Sequence, residues 1–330
     1  MIASEARTAN FGLLVAHTQN IGDDIQAIAA RQFLPWVDYH IDRESLSDFA
    51  ANSNVYTILN GWFLHRTRKW PPSRSIKPLF ISFHIATSTG KKLLSKSSLR
   101  YLEQHQPIGT RDLHTADLLT RHGIEAYFSG CLTLTLNGFA SSDHARATSG
   151  VLVVDPPPEV DAAIRTKGLK DTTFATQMLH LSSSDKYSRS MSSIKQLIKR
   201  LVPSQLYGEL QYMYTGRSPL NLEHRLLLAE KRLEQIAAAR LVITSRLHVA
   251  LPAAALGTPV IFAPKDINDP RFEGLKELVI TISPTDLLSH LEDYIAHPPA
   301  APSLDRITSL QYAMRTRVQE YVNRALSGAS

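Results

Sequence analysis

The sequence predicts an α/β protein built from two Rossmann-like wound domains with a cleft between them. Three observations carry this. Short apolar runs of strand length alternate with stretches of helical period along most of the chain. That rhythm is interrupted at the polar, turn-rich "NGFASSDHARATSG" (137–150) and then begins again. A chain of 330 residues, 43% hydrophobic and 20% charged, suffices for two cores of ordinary size.

In the first domain, expected over 1–145, "FGLLVAH" (11–17) reads as a buried strand. "GDDIQAIAARQFL" (22–34) follows as a helix, because Ile25, Ile28, Ala29 and Phe33 recur at core spacing. Further strands are expected at "VDYHI" (37–41), "VYTILNG" (55–61), "PLFISFHI" (78–85), "PIG" (107–109) and "AYFSG" (126–130), with helices over 91–105 and 112–122. The second domain, expected over 146–303, opens with strand "VLVVD" (151–155), which the breaker run "PPP" closes. "ATQMLHL" (175–181) is expected as its second strand. A long helix over 222–239 leads to strands "LVITS" (241–245), "PVIFA" (259–263) and "VITI" (279–282). The tail is amphipathic over 304–326, with Ile307, Leu310, Met314, Val318 and Val322 on one face, so 304–330 is expected to pack back on the first domain.

The single cysteine, Cys131, rules out a disulfide within the chain and a Cys-cluster zinc site, which suits a reducing compartment. It reads as a buried structural residue. The opening "MIASEARTAN" lacks the basic-then-apolar pattern of a signal peptide, and no run reaches transmembrane length, so a cytoplasmic location is expected. The formal charge is +6, and much of it is local: residues 185–217 hold six cations against Asp185 and Glu209. With Leu197, Ile198, Leu201, Val202 and Leu206 among those cations, 182–218 is expected either to rest on an anionic membrane face or to be an ordinary solvated segment. No nucleic-acid fingerprint accompanies the basic balance.

In open α/β sheets ligands bind beyond the carboxyl ends of the strands, so the polar residues there are the site candidates. The first strand ends in "HTQNIGDD", where Gly22 allows a tight turn and Asn20 or Asp23 can cap the next helix. Adjacent carboxylates cannot both cap well, which leaves Asp23 or Asp24 to act on a hydroxyl. Trp62 in "NGWFLH" offers a flat apolar surface, to a sugar or to the core. His84 ends "FISFH", and Arg111 in "GTRD" either points a cation into the cleft or pairs with a local carboxylate. Arg246 and His248 follow the strand ending at Ser245, at a strand-to-helix junction before Pro252. There an arginine can grip a carboxylate or phosphate, and a histidine can move a proton near neutral pH. Lys265 ends a later strand, while Arg271 in "DPRFEGL" reads as a solvated loop residue.

These pieces resemble the polysaccharide pyruvyl transferase family. The resemblance rests on "NIGDDIQAIAARQFLPWVDYHIDRE", "ILNGWFLH", "PLFISFH", "PIGTRDLHTADLL", "YFSGCLTLTL", "LVITSRLHVALPAAALGTPVIF" and "RFEGL". It implies a two-domain enzyme of glycosyltransferase-B shape that moves pyruvate from phosphoenolpyruvate onto paired sugar hydroxyls as a ketal, in exopolysaccharide synthesis. The first domain is then the acceptor side, with Asn20, Gly22, Trp62 and His84, and the second the donor side. Arg246, Arg111, Ser245 and Lys265 are expected to hold the donor, His248 to act as acid, and Asp23 or Asp24 as base. The scheme needs no cofactor and no metal. The acceptor is expected to be a saccharide, lipid-linked if 182–218 meets a membrane. Two other readings suit the same scaffold: a nucleotide-sugar-dependent glycosyltransferase, and a non-catalytic polysaccharide assembly protein.

Overall fold

A first sheet of six parallel strands has the order β2-β1-β3-β4-β5-β6, and a second of five has the order β11-β10-β9-β7-β8. The structure, a computed structural model, describes residues 8–86, 90–139, 149–168, 171–178, 220–300 and 304–328. In the first sheet the strands are β1 (Asn10–Val15), β2 (Tyr39–Asp42), β3 (Val55–Phe63), β4 (Ile76–Ile85), β5 (Ile108–Thr110) and β6 (Ala126–Phe128). In the second they are β7 (Ser149–Val154), β8 (Thr172–Ala175), β9 (Ala239–Thr244), β10 (Val260–Phe262) and β11 (Ile280–Thr281). Parallel neighbours need crossover connections. The helices that supply them in the first domain are α1 (Ile21–Arg31), α2 (Gly90–Leu93), α3 (Lys96–Glu103) and α4 (Leu113–Thr120). Those of the second are α5 (Pro158–Lys167), α6 (Leu222–Ala238) and α7 (Leu247–Ala255), and α8 (Pro284–Ala296) follows its last strand. The two wound α/β domains read from the sequence are both present.

Two elements differ from expectation. The helix expected over 91–105 is two helices, because Ser95 caps a fresh start by accepting from Ser98 N. The second strand of the second domain ends at Ala175, earlier than "ATQMLHL" suggests. Gln177 leaves the sheet, its N–H donating to Asp155 and its carbonyl accepting from Ile21 N. Residues 179–181 of that run, and the basic segment 182–218, lie outside the described residues. The last helix, α9 (Leu304–Ser327), lies on the first domain. Gln311 and Arg315 donate to the carbonyls of Leu134 and Thr135, and Tyr321 donates to that of Lys77.

Between the domains there is a shared core rather than a solvated seam. Ile25, Ile28 and Ala29 of α1, Leu132 and Leu134 of a 3-10 turn (Leu132–Gly138), and Val249, Ala250 and Ala253 of α7 belong to one buried cluster. Such an apolar joint resists independent domain motion. Across it runs an ion pair without solvent: Arg225 of α6, 0% exposed, bonds Asp24 of α1, 1% exposed, at 2.7 and 3.3 Å, and also donates to the Ala16 carbonyl. Cys131 is likewise buried and accepts from the Thr133 hydroxyl. Among the described residues no helix is long and apolar enough to cross a membrane.

Removing one partner of a buried pair strands the other charge at a cost of about 3–5 kcal/mol. Arg225→Met should therefore lower the urea unfolding free energy by about that much. Adding Asp24→Leu to it should recover part of the loss, and a chemical-denaturation cycle over the four proteins checks both.

Candidate functional site

Every loop that lines the cleft between the two sheets follows the carboxyl end of a strand. After β1 come Thr18, Gln19, Asn20 and Asp23; after β2, Arg43; at the end of β3, Trp62 and His65; after β5, Arg111. The second domain contributes Gln177 and Met178 after β8, Ser245, Arg246, Leu247 and His248 after β9, and Arg271 and Phe272 after β10. Together they enclose about 400 Å³.

Local sequence explains how the junction after β9 is built. Thr244 accepts from Arg246 N, and Ser245 donates to the Asp155 carbonyl, which ties the turn to the end of β7. Arg246 then bonds Asp155 Oδ2 through Nε at 2.9 Å. Pro252 has no N–H, so the His248 carbonyl loses its helical partner. Gln177 supplies the missing donor through Nε2 at 3.0 Å, and His248 takes a non-helical φ/ψ at the start of α7. The proline thus hands a carbonyl to a neighbouring strand end and fixes His248 against it.

Asp23 faces this junction from the first turn of α1. Its carboxylate accepts from the Thr18 hydroxyl at 2.7 Å, Gln26 Nε2 at 3.2 Å and Arg43 NH1 at 3.2 Å. Burial would raise this carboxyl, but the charge of Arg43 and these hydrogen bonds hold it below the ordinary carboxylate value. Arg43 is anchored in turn by buried Glu44, whose other oxygen accepts from His65 N and Arg66 N. Arg43 also lies 5.6 Å from the Trp62 ring centre, and His65 packs on that ring at 4.3 Å. One wall of the cleft is therefore an aromatic face beside a fixed cation.

Arg43, Arg111, Arg246 and Arg271 surround the cavity, each with a carboxylate beside it. A guanidinium carries five N–H donors, and one carboxylate cannot satisfy them all. Arg111 Nε is buried without a hydrogen-bond partner, its ion-pair distance to Asp112 being 3.6 Å. His248 Nε2 is also buried and unpartnered. Burial pushes His248 down to about 3; Arg111, Arg43 and His84 add to this, and Asp23 opposes it. The cleft is thus arranged to receive an anion, and a bound anion would raise His248 again.

Several expected site residues are elsewhere. Asp24 faces Arg225, not the cleft; burial raises its carboxyl to about 7, a value fit for a base, but a base must also reach its substrate. His84 is 0% exposed and donates through Nδ1 to Asp112 at 2.6 Å, so it stands behind the wall. Lys265 is exposed and does not line the cleft. Gly22 is buried where the domains meet: a Cβ there would lie 3.0 Å from Gln177 Oε1 and 3.2 Å from His248 Cβ. Arg271, expected to be solvated, reaches the cleft because the Glu273 carbonyl accepts from Leu113 N and docks its loop on the first domain. Arg43 was legible by the same strand-end rule applied to β2. Gln177 was hidden inside an overlong strand.

The family model for polysaccharide pyruvyl transferase matches residues 20–263, most of the chain and every cleft residue just described except Thr18, Gln19, Arg271 and Phe272. The chain belongs to the polysaccharide pyruvyl transferase family. As a member it is a transferase with a saccharide acceptor. No curated protein is significantly similar to this pyruvyl transferase family member in sequence. Solved structures similar to it include a UDP-N-acetylglucosamine 2-epimerase at 10% identity and TM-score 0.47, covering 98% of this chain and 95% of that one. A functionally uncharacterized protein from Klebsiella pneumoniae subsp. pneumoniae NTUH-K2044 has 13% identity and TM-score 0.43, with 80% and 86% covered. The ADP-heptose lps heptosyltransferase II of E. coli has 12% identity and TM-score 0.27, with 87% and 98% covered. At these scores the likenesses carry no inference about activity. Among the described residues no group of three or more His, Cys, Asp or Glu is placed to hold a metal ion.

The buried His84 sets a pH dependence. Burial and Arg111 lower it from 6.5 to about 4, against the pull of Asp112. Between those values the unfolded chain binds the proton and the folded one does not, so the stability His84 contributes is present above pH 6.5 and lost as pH falls toward 4. The unfolding free energy of the wild type relative to His84→Gln should shrink by about 2 kcal/mol between pH 7 and pH 5. Taking the difference removes the opposing contribution of Asp24, which both proteins share.

Proposed function

We propose that this chain transfers the pyruvyl group of phosphoenolpyruvate to two hydroxyls of one acceptor sugar, forming a pyruvate ketal and releasing phosphate. The observation that supports this reading is the pair of buried, unpartnered nitrogens, Arg111 Nε and His248 Nε2, on residues that share a cleft with an oriented carboxylate, Asp23. Phosphoenolpyruvate carries a carboxylate and a phosphate, and arginine forks suit both. In this reading Arg111 and Arg246 hold the donor beside Ser245, and Arg271 joins them. Trp62 and Asn20, on the opposite wall, meet the sugar. The first domain is then mainly the acceptor side and the second the donor side.

The chemistry runs as follows. A proton adds to the methylene carbon of the donor and makes it a methyl group, leaving an oxocarbenium-like centre at the adjoining carbon. A sugar hydroxyl attacks that centre, its proton passing to Asp23. The second hydroxyl attacks the same carbon, the carbon–oxygen bond to phosphate breaks, and the ring closes. Of the two hydroxyl protons, one replaces the proton given to the methylene carbon and one leaves with phosphate. His248 is the acid, at the methylene carbon or at the departing phosphate, once the donor's charge has raised its pKa. No cofactor or metal enters the scheme.

Phosphate release from phosphoenolpyruvate should depend on a glycoside acceptor. It should fall by roughly 10²–10⁴ in His248→Ala and in Asp23→Asn. Arg246→Ala should raise KM for phosphoenolpyruvate more than it lowers kcat. Thermal stabilisation by phosphoenolpyruvate and not by nucleotide sugars separates this reading from a glycosyltransferase on the same scaffold, and the reverse pattern would sink it. Release that ignores both substitutions would leave the binding-protein reading standing.

A further inference from the structure

We propose that Gln26, a residue outside the main cleft, is a positioning residue that fixes which nitrogen of His248 carries the ring proton, across the boundary between the two domains. The inference rests on the reading of His248 as the acid and deepens it.

Gln26 lies on α1, one turn after Asp23, and is 4% exposed. Its Nε2, which carries two hydrogens, has three neighbours within hydrogen-bond range: Asp23 Oδ1 at 3.2 Å, the Gly22 carbonyl at 3.4 Å and His248 Nδ1 at 3.5 Å. The first two can only accept from it, which settles the orientation of the amide: turned over, its oxygen would face two other oxygens. An amide N–H2 cannot accept a hydrogen bond, so His248 Nδ1 meets a donor and is held as a bare lone pair. The proton of the neutral ring is then on Nε2, the buried atom without a protein partner on a residue that lines the cleft.

The placement of Gln26 is itself built in. Its backbone carbonyl accepts from Asn60 Nδ2 at 3.1 Å. Beside its side chain is Gly61, at φ +95, where a Cβ would come within 2.6 Å of Gln26 Oε1. A glycine at the end of β3 therefore makes the space that the amide occupies.

One consequence concerns charging. The second ring proton, which turns His248 into an acid, must enter at Nδ1, against the amide N–H2. Arg111, Arg43 and His84 also disfavour charge on the ring, and Asp23 alone of the groups acting on it favours charge. Gln26 thus keeps the ring neutral in an empty cleft and leaves the donor's own charge to switch it on.

Nitrogen NMR of ring-labelled histidine in the ligand-free protein reads the tautomer directly. The wild type should show the proton on Nε2. Gln26→Glu, whose carboxylate accepts from Nδ1–H, should move it to Nδ1 and raise the pH at which the ring titrates. Gln26→Met, uncharged and of similar length, should give a mixture, and it decides the matter if the glutamate variant does not fold. Both variants should lower kcat by about 10–100-fold, as when the partner that orients a histidine is lost, with little change in KM for phosphoenolpyruvate. A wild-type proton on Nδ1, or a Gln26→Met ring with the wild-type tautomer and titration, would overturn the proposal. The NMR result stands without any turnover, so failure of pyruvyl transfer and failure of this inference are distinguishable.

Discussion

The buried bond between Asp24 and Arg225 fixes where α1 stands, and the site depends on where α1 stands. The first turn of that helix carries the carboxylate of the cleft on one residue and the anchor to the second domain on the next. Asp23 and Asp24 point away from each other because neighbours on a helix lie about 100° apart. The same two residues therefore line the cleft and dock the domains without competing. A charged pair at an apolar joint is a poor source of net stability. It is a strict condition on geometry, because any shift of α1 against α6 would leave two charges without partners.

Electrostatics in the cleft follow one plan. Each arginine on its rim has a carboxylate beside it, so the cations are held in place and only part of their donor capacity remains for a ligand. Preorganised charge of this kind does not have to be assembled when the donor arrives. In the proposed reaction the histidine is the group whose state the ligand changes. Its neutrality without ligand follows from burial and surrounding positive charge, and in our proposal the nitrogen that bears its proton is chosen by a single amide on the facing domain.

Much of the architecture was legible because parallel strands buried on both faces leave continuous apolar runs, and those runs are hard to mistake. Site residues were legible to the extent that strand ends were. Arg246, His248, Arg111 and Asp23 sit at such ends and line the cleft. Trp62, which from sequence reads more readily as core, lines it too. His84 and Lys265 also close strands, but the side chain of one turns into a buried pair with Asp112, and the other runs out to solvent. Nothing in a strand pattern tells these directions apart. Asp24 could not be separated from Asp23 because its partner is Arg225, some two hundred residues away. Gln177 and Arg271 depend on where loops settle after tertiary contacts form, and no local period encodes that.

Gly22 gives the enzyme its gauge. At that point the first turn of α1 comes so close to the second domain that a Cβ would stand 3.0 Å from Gln177 and 3.2 Å from His248. The gap between the carboxylate on one domain and the imidazole on the other is thus set by a missing side chain. It is measured by the smallest residue available, and a methyl group there would press on Gln177 and His248 until they gave way by a few tenths of an ångström.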